Sequence, residues 1–177
     1  RDAECEGSVI EVKEMSKSLL IIGAGGHGRV VKEVAEALGY DNIAFLDDNS
    51  AEAIGKIADS KSFVQEYQAA FVGIGNNKFR NELLQRLEQE GFVIPALLHP
   101  TAYISKTAVI GKGTVVEPKA IVNANSRVGL GCIISVGAIV DHDVVLEECV
   151  HVNAGAICKA GSRACIFAKI DSGEILQ

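Results

Sequence analysis

The sequence lacks long apolar runs and any concentration of positive charge. No run of about 18 apolar residues occurs, and the amino end has no charged start followed by an apolar stretch. We therefore expect neither membrane insertion nor a secretory signal. A net charge of −6 without a Lys/Arg cluster argues against a nucleic-acid partner. The 177 residues, 48% of them hydrophobic, favour a globular protein of one or two domains.

Cysteine and methionine are few, and the cysteines form no sequence pair of the CxxC type. The five cysteines include no CxxC pair, and Cys132 and Cys158 fall at inward positions of the repeat described below. We interpret these two as small core residues rather than disulfide partners or metal ligands, which favours a reducing cytoplasm. Met15 is the only methionine and directly precedes the first predicted strand. Residues 1–14 are therefore interpreted as a leader or a cloning remnant.

The C-terminal part of the chain repeats every six residues. Every sixth residue from Ile104 to Leu176 is apolar, and the residue two places before it is mostly small. A period of six is typical of a parallel β-helix built from hexapeptides. Residues two apart on a strand share a face, so both sets should fill a narrow triangular core with three hexads per coil. Residues 100–177 are predicted to form this domain, with about four coils of 18 residues.

Residues 15–99 alternate strand and helix signals instead. An apolar run at 19–22 leads into GAGGHG and a helical pattern that stops at Gly39, and further strands are predicted at 43–46, 70–74 and 92–98. This alternation predicts a small α/β domain with a parallel sheet, a Rossmann-like half. The break to the β-helix is expected between His99 and Pro100.

The GAGGHG segment satisfies the G-x-G-x-x-G pattern between a strand and a helix, with Asp47 at the end of the next strand. Glycines let the backbone approach phosphates, and the helix N-terminus offers unpaired N–H groups and partial positive charge. A tight turn that simply needs glycine is the alternative. A dinucleotide fold uses two such halves, so a domain of about 85 residues favours a single nucleotide over NAD.

His142 is predicted to lie at a corner of the β-helix, outside the core. Residues 18 apart stack on adjacent coils at about 4.8 Å, so Ala124 and Ala160 should flank His142 and leave space around its ring. A solvated surface histidine is the alternative. Zinc is disfavoured, because the repeat region offers only His142 and His151, and a three-histidine site needs one more ligand.

One outward face of the predicted β-helix is aliphatic. Its positions recur every 18 residues and are Tyr103, Ile121, Ile139, Ile157 and Ile175. An exposed stripe of this length would be a liability on a monomer, so we expect another subunit or the N-terminal domain to cover it.

In combination, these motifs resemble the left-handed β-helix sugar acetyltransferases that include sialic-acid O-acetyltransferases and UDP-4-amino-sugar N-acetyltransferases. The matching segments, in order over residues 18–161, are GAGGHGRVVKEVA, FLDD, GIGNN, LLHPTAYIS and VDHDVVLEECVHVNAGA. The resemblance implies a homotrimer, acetyl-CoA as co-substrate, no required metal, and an active site between neighbouring β-helices. It also implies that the N-terminal domain holds a UDP-sugar rather than NAD, through Gly23, Gly25, Gly26, His27, Asp47, Asp48, Gly75 and Asn76.

Carried over by position, the resemblance makes His142 the general base, Asp143 its acidic neighbour and His151 a residue at the acetyl end of the co-substrate. Histidine titrates near neutral pH, which suits proton removal from an attacking amine or hydroxyl. The main-chain N–H of Ala160, or failing that of Gly161, is expected to stabilise the oxyanion. Adjacent strand residues point apart, so the corner must bring His142 and Asp143 together.

Several alternatives stay open at this point. Acetyl transfer to the amino group of a UDP-linked sugar is the leading hypothesis, and O-acetylation of a sialic acid or related sugar is close to it. A non-catalytic trimer that binds nucleotide sugars and an NAD-dependent enzyme belong to other classes. Family members usually continue for one or two further coils, so we expect either a shortened groove for acetyl-CoA or a lost C-terminal tail.

Overall fold

The structure, a computed structural model, describes residues 17–177 of the chain. Residues 1–14, interpreted above as a leader, lie outside this range. The α/β region comes first. The elements of this region are β1 (Ser18–Ile22), α1 (Gly26–Ala37), β2 (Asn42–Leu46), a 3-10 helix (Ile57–Phe63), β3 (Ala69–Val72) and α2 (Asn77–Glu90). The three strands form a parallel sheet in the order β2-β1-β3.

The rest of the chain forms a parallel β-helix of two-residue strands. They are β4 (Leu97–Leu98), β5 (Tyr103–Ile104), β6 (Val109–Ile110), β7 (Val115–Val116), β8 (Ile121–Val122), β9 (Arg127–Val128), β10 (Ile133–Ile134), β11 (Ile139–Val140), β12 (Val145–Leu146), β13 (His151–Val152), β14 (Ile157–Cys158), β15 (Arg163–Ala164), β16 (Lys169–Ile170) and β17 (Ile175–Leu176). Each strand pairs with the strand three places along the chain. Three sheets result: sheet I (β4, β7, β10, β13, β16), sheet II (β5, β8, β11, β14, β17) and sheet III (β6, β9, β12, β15).

The register confirms the coil length predicted from the repeat. Ile133, for example, pairs with Val115 on one side and His151 on the other, each 18 residues away. The apolar sixth residues and the small residues two places before them form one continuous core. Val122, Ala138 and Val140 within it have no exposed surface. The predicted fold class, a small parallel α/β region followed by a β-helix, is therefore confirmed.

From Gly113 to Gly173, each hexad ends in a residue with left-handed backbone geometry. Positive φ angles recur every sixth residue, at Gly113, Lys119, Asn125, Gly131, Gly137, Asp143, Cys149, Gly155, Gly161, Phe167 and Gly173. Glycine adopts this geometry without a steric penalty, whereas other residues adopt it less readily. The turn therefore explains the frequent glycines, and it makes the five other residues at this position informative.

The prediction of a fourth strand at 92–98 in the α/β sheet is wrong. Only an isolated bridge joins Val93 to Ala69, whereas Leu97–Leu98 pairs with β7 of the β-helix. The β-helix thus begins at Leu97, before the expected break at His99 and Pro100. The apolar run at 92–98 could not show which strand it pairs with, because the same pattern of apolar residues fits the α/β sheet and the β-helix equally well.

The α/β region packs against sheet I and does not cover the aliphatic stripe. Val31 and Val34 of α1 share a buried cluster with Leu97, Val115 and Ile133, the outward residues of sheet I. The predicted stripe lies on sheet II, where the side chains at its two ends, Tyr103 and Ile175, are 59% and 51% exposed. No helix within residues 17–177 is long and apolar enough to cross a membrane.

A buried arginine joins the α/β region to the β-helix. Arg80 of α2 is 1% exposed and donates from Nε to the carbonyl oxygen of Gly131 (2.7 Å) and from Nη2 to that of Cys149 (2.9 Å). Its Nη1 donates to the carbonyl oxygens of Ile74 (3.0 Å) and Gly75 (3.2 Å). The planar guanidinium thus satisfies carbonyl groups from both parts of the chain, which a lysine could not do from one point.

We expect Arg80→Met to destabilise the protein by about 3 kcal/mol, because it leaves several buried carbonyl groups without donors. Thermal unfolding should show a clearly lower melting temperature. Lys78→Met, an exposed change on the same helix, is the matched control and should unfold close to the wild type. Equal melting temperatures for the two variants would contradict this role of Arg80.

Candidate active site

The corner between sheets II and III carries an exposed histidine–carboxylate pair. His142 Nδ1 lies 2.7 Å from Asp143 Oδ2, and the two side chains are about half exposed. Asp143 has a φ of 59°, and this left-handed turn brings neighbouring side chains together where an extended strand would point them apart. The corner therefore brings the side chains of His142 and Asp143 together, as expected.

Hydrogen bonds from the preceding coil hold this corner. Asn125 Nδ2 donates to Asp143 Oδ1 (3.2 Å), and Asn123 Nδ2 donates to Asp141 Oδ1 (3.2 Å). The same Asp141 oxygen accepts the main-chain N–H of His142 at 2.8 Å. Both the backbone and the ring of His142 are thus fixed by carboxylates that asparagines hold in place.

The pair favours a histidine that acts as a base near neutral pH. The hydrogen bond that His142 donates to Asp143 raises the pKa of His142, with Asp141 adding to the effect. Hydrogen bonds from His142 and Asn125 lower the pKa of Asp143, so it remains ionised and only accepts. Nδ1 of His142 must then carry the hydrogen, which leaves Nε2 as the acceptor. Within residues 17–177, Nε2 forms no hydrogen bond.

Of the two predicted oxyanion donors, one is engaged elsewhere. The N–H of Gly161 donates to the carbonyl oxygen of His142 at 3.0 Å, as part of the bonding between coils. The N–H of Ala160 donates to no group in the described part of the chain. Ala160 lies one coil from His142 in the same column, so it is the available donor next to the base.

A pocket of about 410 Å³ opens beside the carboxylate of this pair. Its lining comes from three successive coils and consists of Thr107, Val109, Asn125, Arg127, Asp143 and Val145. Arg127 is the one cation in that lining. The corner therefore offers a base, a free N–H group and adjoining space at the surface.

The glycines of the GAGGHG turn and of the later GIGNN segment divide into two kinds. A Cβ on Gly28 would lie 2.0 Å from the carbonyl oxygen of Gly23, and one on Gly73 would lie 2.7 Å from Cα of Gly28. These positions need glycine for packing. Around Gly25, Gly26 and Gly75, by contrast, a Cβ would meet nothing within 4 Å. The tight-turn explanation thus accounts for the first set, and the second set leaves open space at the start of α1.

The two aspartates expected to bind substrate stabilise loops. Asp47 Oδ2 accepts the N–H of Ala24 (2.8 Å), and its Oδ1 accepts the N–H groups of Asn49 and Ser50. Asp48 Oδ1 accepts the N–H of Ile57 at 3.1 Å. The bonds from Ala24 and Asn49 lower the pKa of Asp47. Asp47 therefore fixes the shape of the glycine-rich turn. The side chain of Asn76 similarly caps α2 by accepting the N–H of Phe79.

His27 and His151 meet where the start of α1 faces sheet I. Their ring centroids are 6.4 Å apart. His27 Nδ1 lies 3.7 Å from Glu117 Oε1, which is too long for a hydrogen bond, and His151 Nε2 lies 3.2 Å from Ser135 Oγ. His27 Nε2 is buried and forms no hydrogen bond within residues 17–177.

Burial keeps the imidazoles of His27 and His151 uncharged. Desolvation lowers the pKa of both His27 and His151 to about 4, and the charge of Arg80 acts in the same direction on both. Desolvation also raises the pKa of Glu117. These imidazoles are therefore neutral near pH 7 and offer hydrogen bonds rather than charge.

The structure does not bring His142 and His151 together. Nine residues separate them, which is half of an 18-residue coil. His151 points outward from sheet I, and the corner that holds His142 lies between sheets II and III, on the opposite side of the prism. The predicted site residues thus fall into two groups: a corner with His142, Asp143 and Ala160, and a junction with the glycine-rich turn, His27 and His151.

Comparisons with known proteins agree on the kind of protein. Residues 18–87 match the model described as the PglD N-terminal domain. The UDP-N-acetylbacillosamine N-acetyltransferase of Bacillus subtilis (strain 168) is 33% identical over 112 residues, 56% of this chain and 50% of that protein. The aligned part of the chain thus spans about half the length of this curated relative.

Two solved structures extend the match over most of the chain. The acetyltransferase domain of PglB from Neisseria gonorrhoeae FA1090, in complex with acetyl coenzyme A, is 38% identical with a TM-score of 0.85, over 90% of this chain and 82% of that one. A histidine variant of perosamine N-acetyltransferase from Caulobacter crescentus, in complex with CoA and GDP-perosamine, is 25% identical with a TM-score of 0.82, over 90% and 88%.

A hexapeptide β-helix with a histidine–carboxylate pair at one corner defines a class, the β-helix acyltransferases. The α/β region, together with the matches to known proteins over both the α/β region and the β-helix, identifies a narrower group within that class. The chain belongs to the family of left-handed β-helix sugar acetyltransferases, as the resemblance of its motifs predicted. Within residues 17–177, no three His, Cys, Asp or Glu side chains group as a metal site.

The low pKa values of His27 and His151 make stability depend on pH. Their folded pKa is about 4 and their ordinary value 6.5, so the unfolded chain binds more protons between these values. Their contribution to stability is full above about pH 6.5 and is lost as the pH falls toward 4. We expect His151→Gln to lose less melting temperature than the wild type between about pH 7 and pH 5.

His142→Gln is the control for this measurement. The raised pKa of His142 contributes to stability with the opposite sign, so its removal should not reduce the loss of melting temperature at low pH. The prediction for His151 is wrong if the wild type and His151→Gln lose stability equally.

Proposed function

We propose that the protein transfers the acetyl group of acetyl-CoA to the amino group of a UDP-linked amino sugar. The observation that carries this proposal is the exposed His142, oriented by Asp143 and flanked by the free N–H of Ala160. The names of the relatives add support, since they are N-acetyltransferases of UDP-N-acetylbacillosamine and perosamine. The first of these favours UDP over GDP as the nucleotide.

In the proposed mechanism, Nε2 of His142 removes a proton from the acceptor amine as its nitrogen attacks the thioester carbonyl. Asp143 stabilises the imidazolium that forms, because its carboxylate already accepts from Nδ1. The N–H of Ala160 donates to the developing oxyanion. The new C–N bond forms, the C–S bond breaks, and the imidazolium returns its proton to the departing thiolate. No acyl-enzyme is needed.

The acceptor side of the proposed site is the junction of the α/β region with sheet I. The start of α1 has no side-chain cap and no acidic residue in its first turn, so its N–H groups are open to a diphosphate. Space for the approach exists at Gly25, Gly26 and Gly75. In this proposal Asp47 and Asp48 act by holding the loops, and Asn76 by capping the neighbouring helix.

We propose a homotrimer, because the two groups of site residues are separated in one chain. The base corner and the junction lie on opposite sides of one β-helix, so one chain cannot close a site that contains both. In an assembly with threefold symmetry, the corner of each subunit meets the junction of the next, and His151 then lines the acetyl end. The aliphatic stripe on sheet II, still partly exposed in one chain, supplies an apolar surface for that contact. Acetyl-CoA and UDP-sugars are cytoplasmic metabolites, which favours that compartment.

The function is tested by incubating the protein with acetyl-CoA and a UDP-4-amino-sugar while free thiol is followed. We expect His142→Ala to lower turnover about 100-fold or more, because the base is lost. His99→Ala, which removes a histidine at another corner, should stay within about twofold of the wild type. Near-normal turnover of His142→Ala would remove that residue from the base role.

Acceptors separate the remaining alternatives in the same assay. Thiol release with a sialic acid but not with the amino sugar would favour O-acetylation. Release with neither acceptor, together with a melting temperature that UDP-sugars raise and acetyl-CoA does not, would favour a binding protein.

For the assembly, Ile139→Asp places a charge in the centre of the aliphatic stripe. We expect a lower mass by light scattering and, because the site is shared, loss of transfer although the His142 corner stays intact. Val93→Asp, at an exposed valine of the α/β region, is the control and should keep both the mass and the activity. An unchanged mass for Ile139→Asp would show that the stripe is not the interface.

A further inference from the structure

Asn125 occupies a backbone position that six of eleven hexads from Gly113 to Gly173 fill with glycine. Its φ is 59°, the left-handed geometry that ends these hexads. Asparagine tolerates this geometry better than most residues but less well than glycine. The contacts of its side chain can explain why asparagine stands at this position instead of glycine.

The contacts of Asn125 lead directly to the base. Its main-chain N–H donates to Thr107 Oγ1 at 2.9 Å, and its Nδ2 donates to Asp143 Oδ1 at 3.2 Å. Asp143 Oδ2 in turn accepts from His142 Nδ1. Thr107, Asn125 and Asp143 are 18 residues apart, so one column across three coils ends at the imidazole.

Lys119 shows which part of this arrangement is general. It occupies the same hexad position at another corner with a φ of 60°, and its N–H donates to Thr101 Oγ1 at 3.2 Å. Within residues 17–177 its side chain forms no hydrogen bond or ion pair. The backbone contact to a threonine thus recurs between corners, whereas the amide–carboxylate contact belongs to the corner that holds His142.

We propose that Asn125 is a positioning residue that turns the Asp143 carboxylate toward His142 and so aims Nε2 at the acceptor. This inference rests on the proposed function, in which His142 is the base. With Oδ1 held by Asn125, the carboxylate cannot rotate freely, and Oδ2 stays on the imidazole. The carboxylate in turn determines which ring nitrogen carries the hydrogen.

The charged groups that act on His142 are few. Asp143 and Asp141, both in its own corner, raise its pKa. Asn123 and Asn125 of the preceding coil and Ala160 of the next are uncharged. Asn125 Nδ2 holds Asp143 Oδ1, so its removal frees the carboxylate to rotate away from the imidazole. Changes at position 125 should therefore be visible in the titration of His142.

The test compares Asn125→Gly with Lys119→Gly by NMR titration of the His142 ring, thermal unfolding and transfer kinetics. Both variants relieve left-handed strain, so both should unfold at or above the wild-type temperature. Only Asn125→Gly should lower the pKa of His142. It should also lower kcat about tenfold through a misaligned base, with KM for both substrates within about twofold.

The pH dependence of the rate is the second readout. With a lower pKa of His142, the acid limb of the rate profile of Asn125→Gly should move to lower pH. A purely structural role of Asn125 would move neither the titration nor the rate profile of this variant.

Identical His142 titrations in the wild type, Asn125→Gly and Lys119→Gly would overturn the proposal. This outcome is distinct from failure of the proposed function, which would appear as normal turnover of His142→Ala. In that case the titration would still report whether Asn125 holds the histidine–carboxylate pair.

Discussion

The hydrogen-bond register of the β-helix is the constraint on which the rest depends. Each coil takes 18 residues, and each corner from Gly113 to Gly173 has a left-handed residue, so the side chains of neighbouring coils stack in columns. This stacking places Asn125 over Asp143 and Ala160 over His142. It also assigns every residue to one side of the prism. A base at the corner between sheets II and III cannot share a site with His151 on sheet I of the same chain, so chemistry that needs both requires more than one chain.

Departures from glycine at the corners concentrate where the molecule has particular tasks. Asn125 and Asp143 adopt left-handed geometry beside His142. Cys149 and Phe167 do so next to α2, where Arg80 binds the carbonyl of Cys149 and Asn77 binds that of Phe167. One pair builds the candidate active site, and the other anchors the α/β region. Four of the five non-glycine residues with left-handed geometry thus lie at the candidate site or at connecting positions of the repeat, and Lys119 is the exception.

Much of the architecture could be predicted because it depends on periodicity. The repeat of six specifies inward positions, and the alternation of strand and helix signals specifies a parallel sheet, whichever parts later pack together. The strand at 92–98 could not be assigned in this way, because an apolar run does not identify its pairing partner. The contacts of Asp47 could not be predicted for a related reason: a carboxylate after a strand fits a ligand or a loop equally well, and only the structure shows that it accepts the N–H groups of Ala24, Asn49 and Ser50.

Arg80 and Glu117 also differ in how far the sequence could predict their roles. Arg80 falls on the apolar face of α2 with Leu83, Leu84 and Leu87, a pattern that was available in the sequence, whereas nothing there separates Glu117 from an ordinary surface acid. By itself, the sequence determined the coil, its core and its corners, because these follow from local spacing, whereas the candidates for base and donor came from the resemblance of its motifs. Only the tertiary structure decided which face the α/β region covers, which N–H groups remain free and on which side each histidine lies. Those properties depend on packing between residues far apart in the chain, which no local pattern encodes.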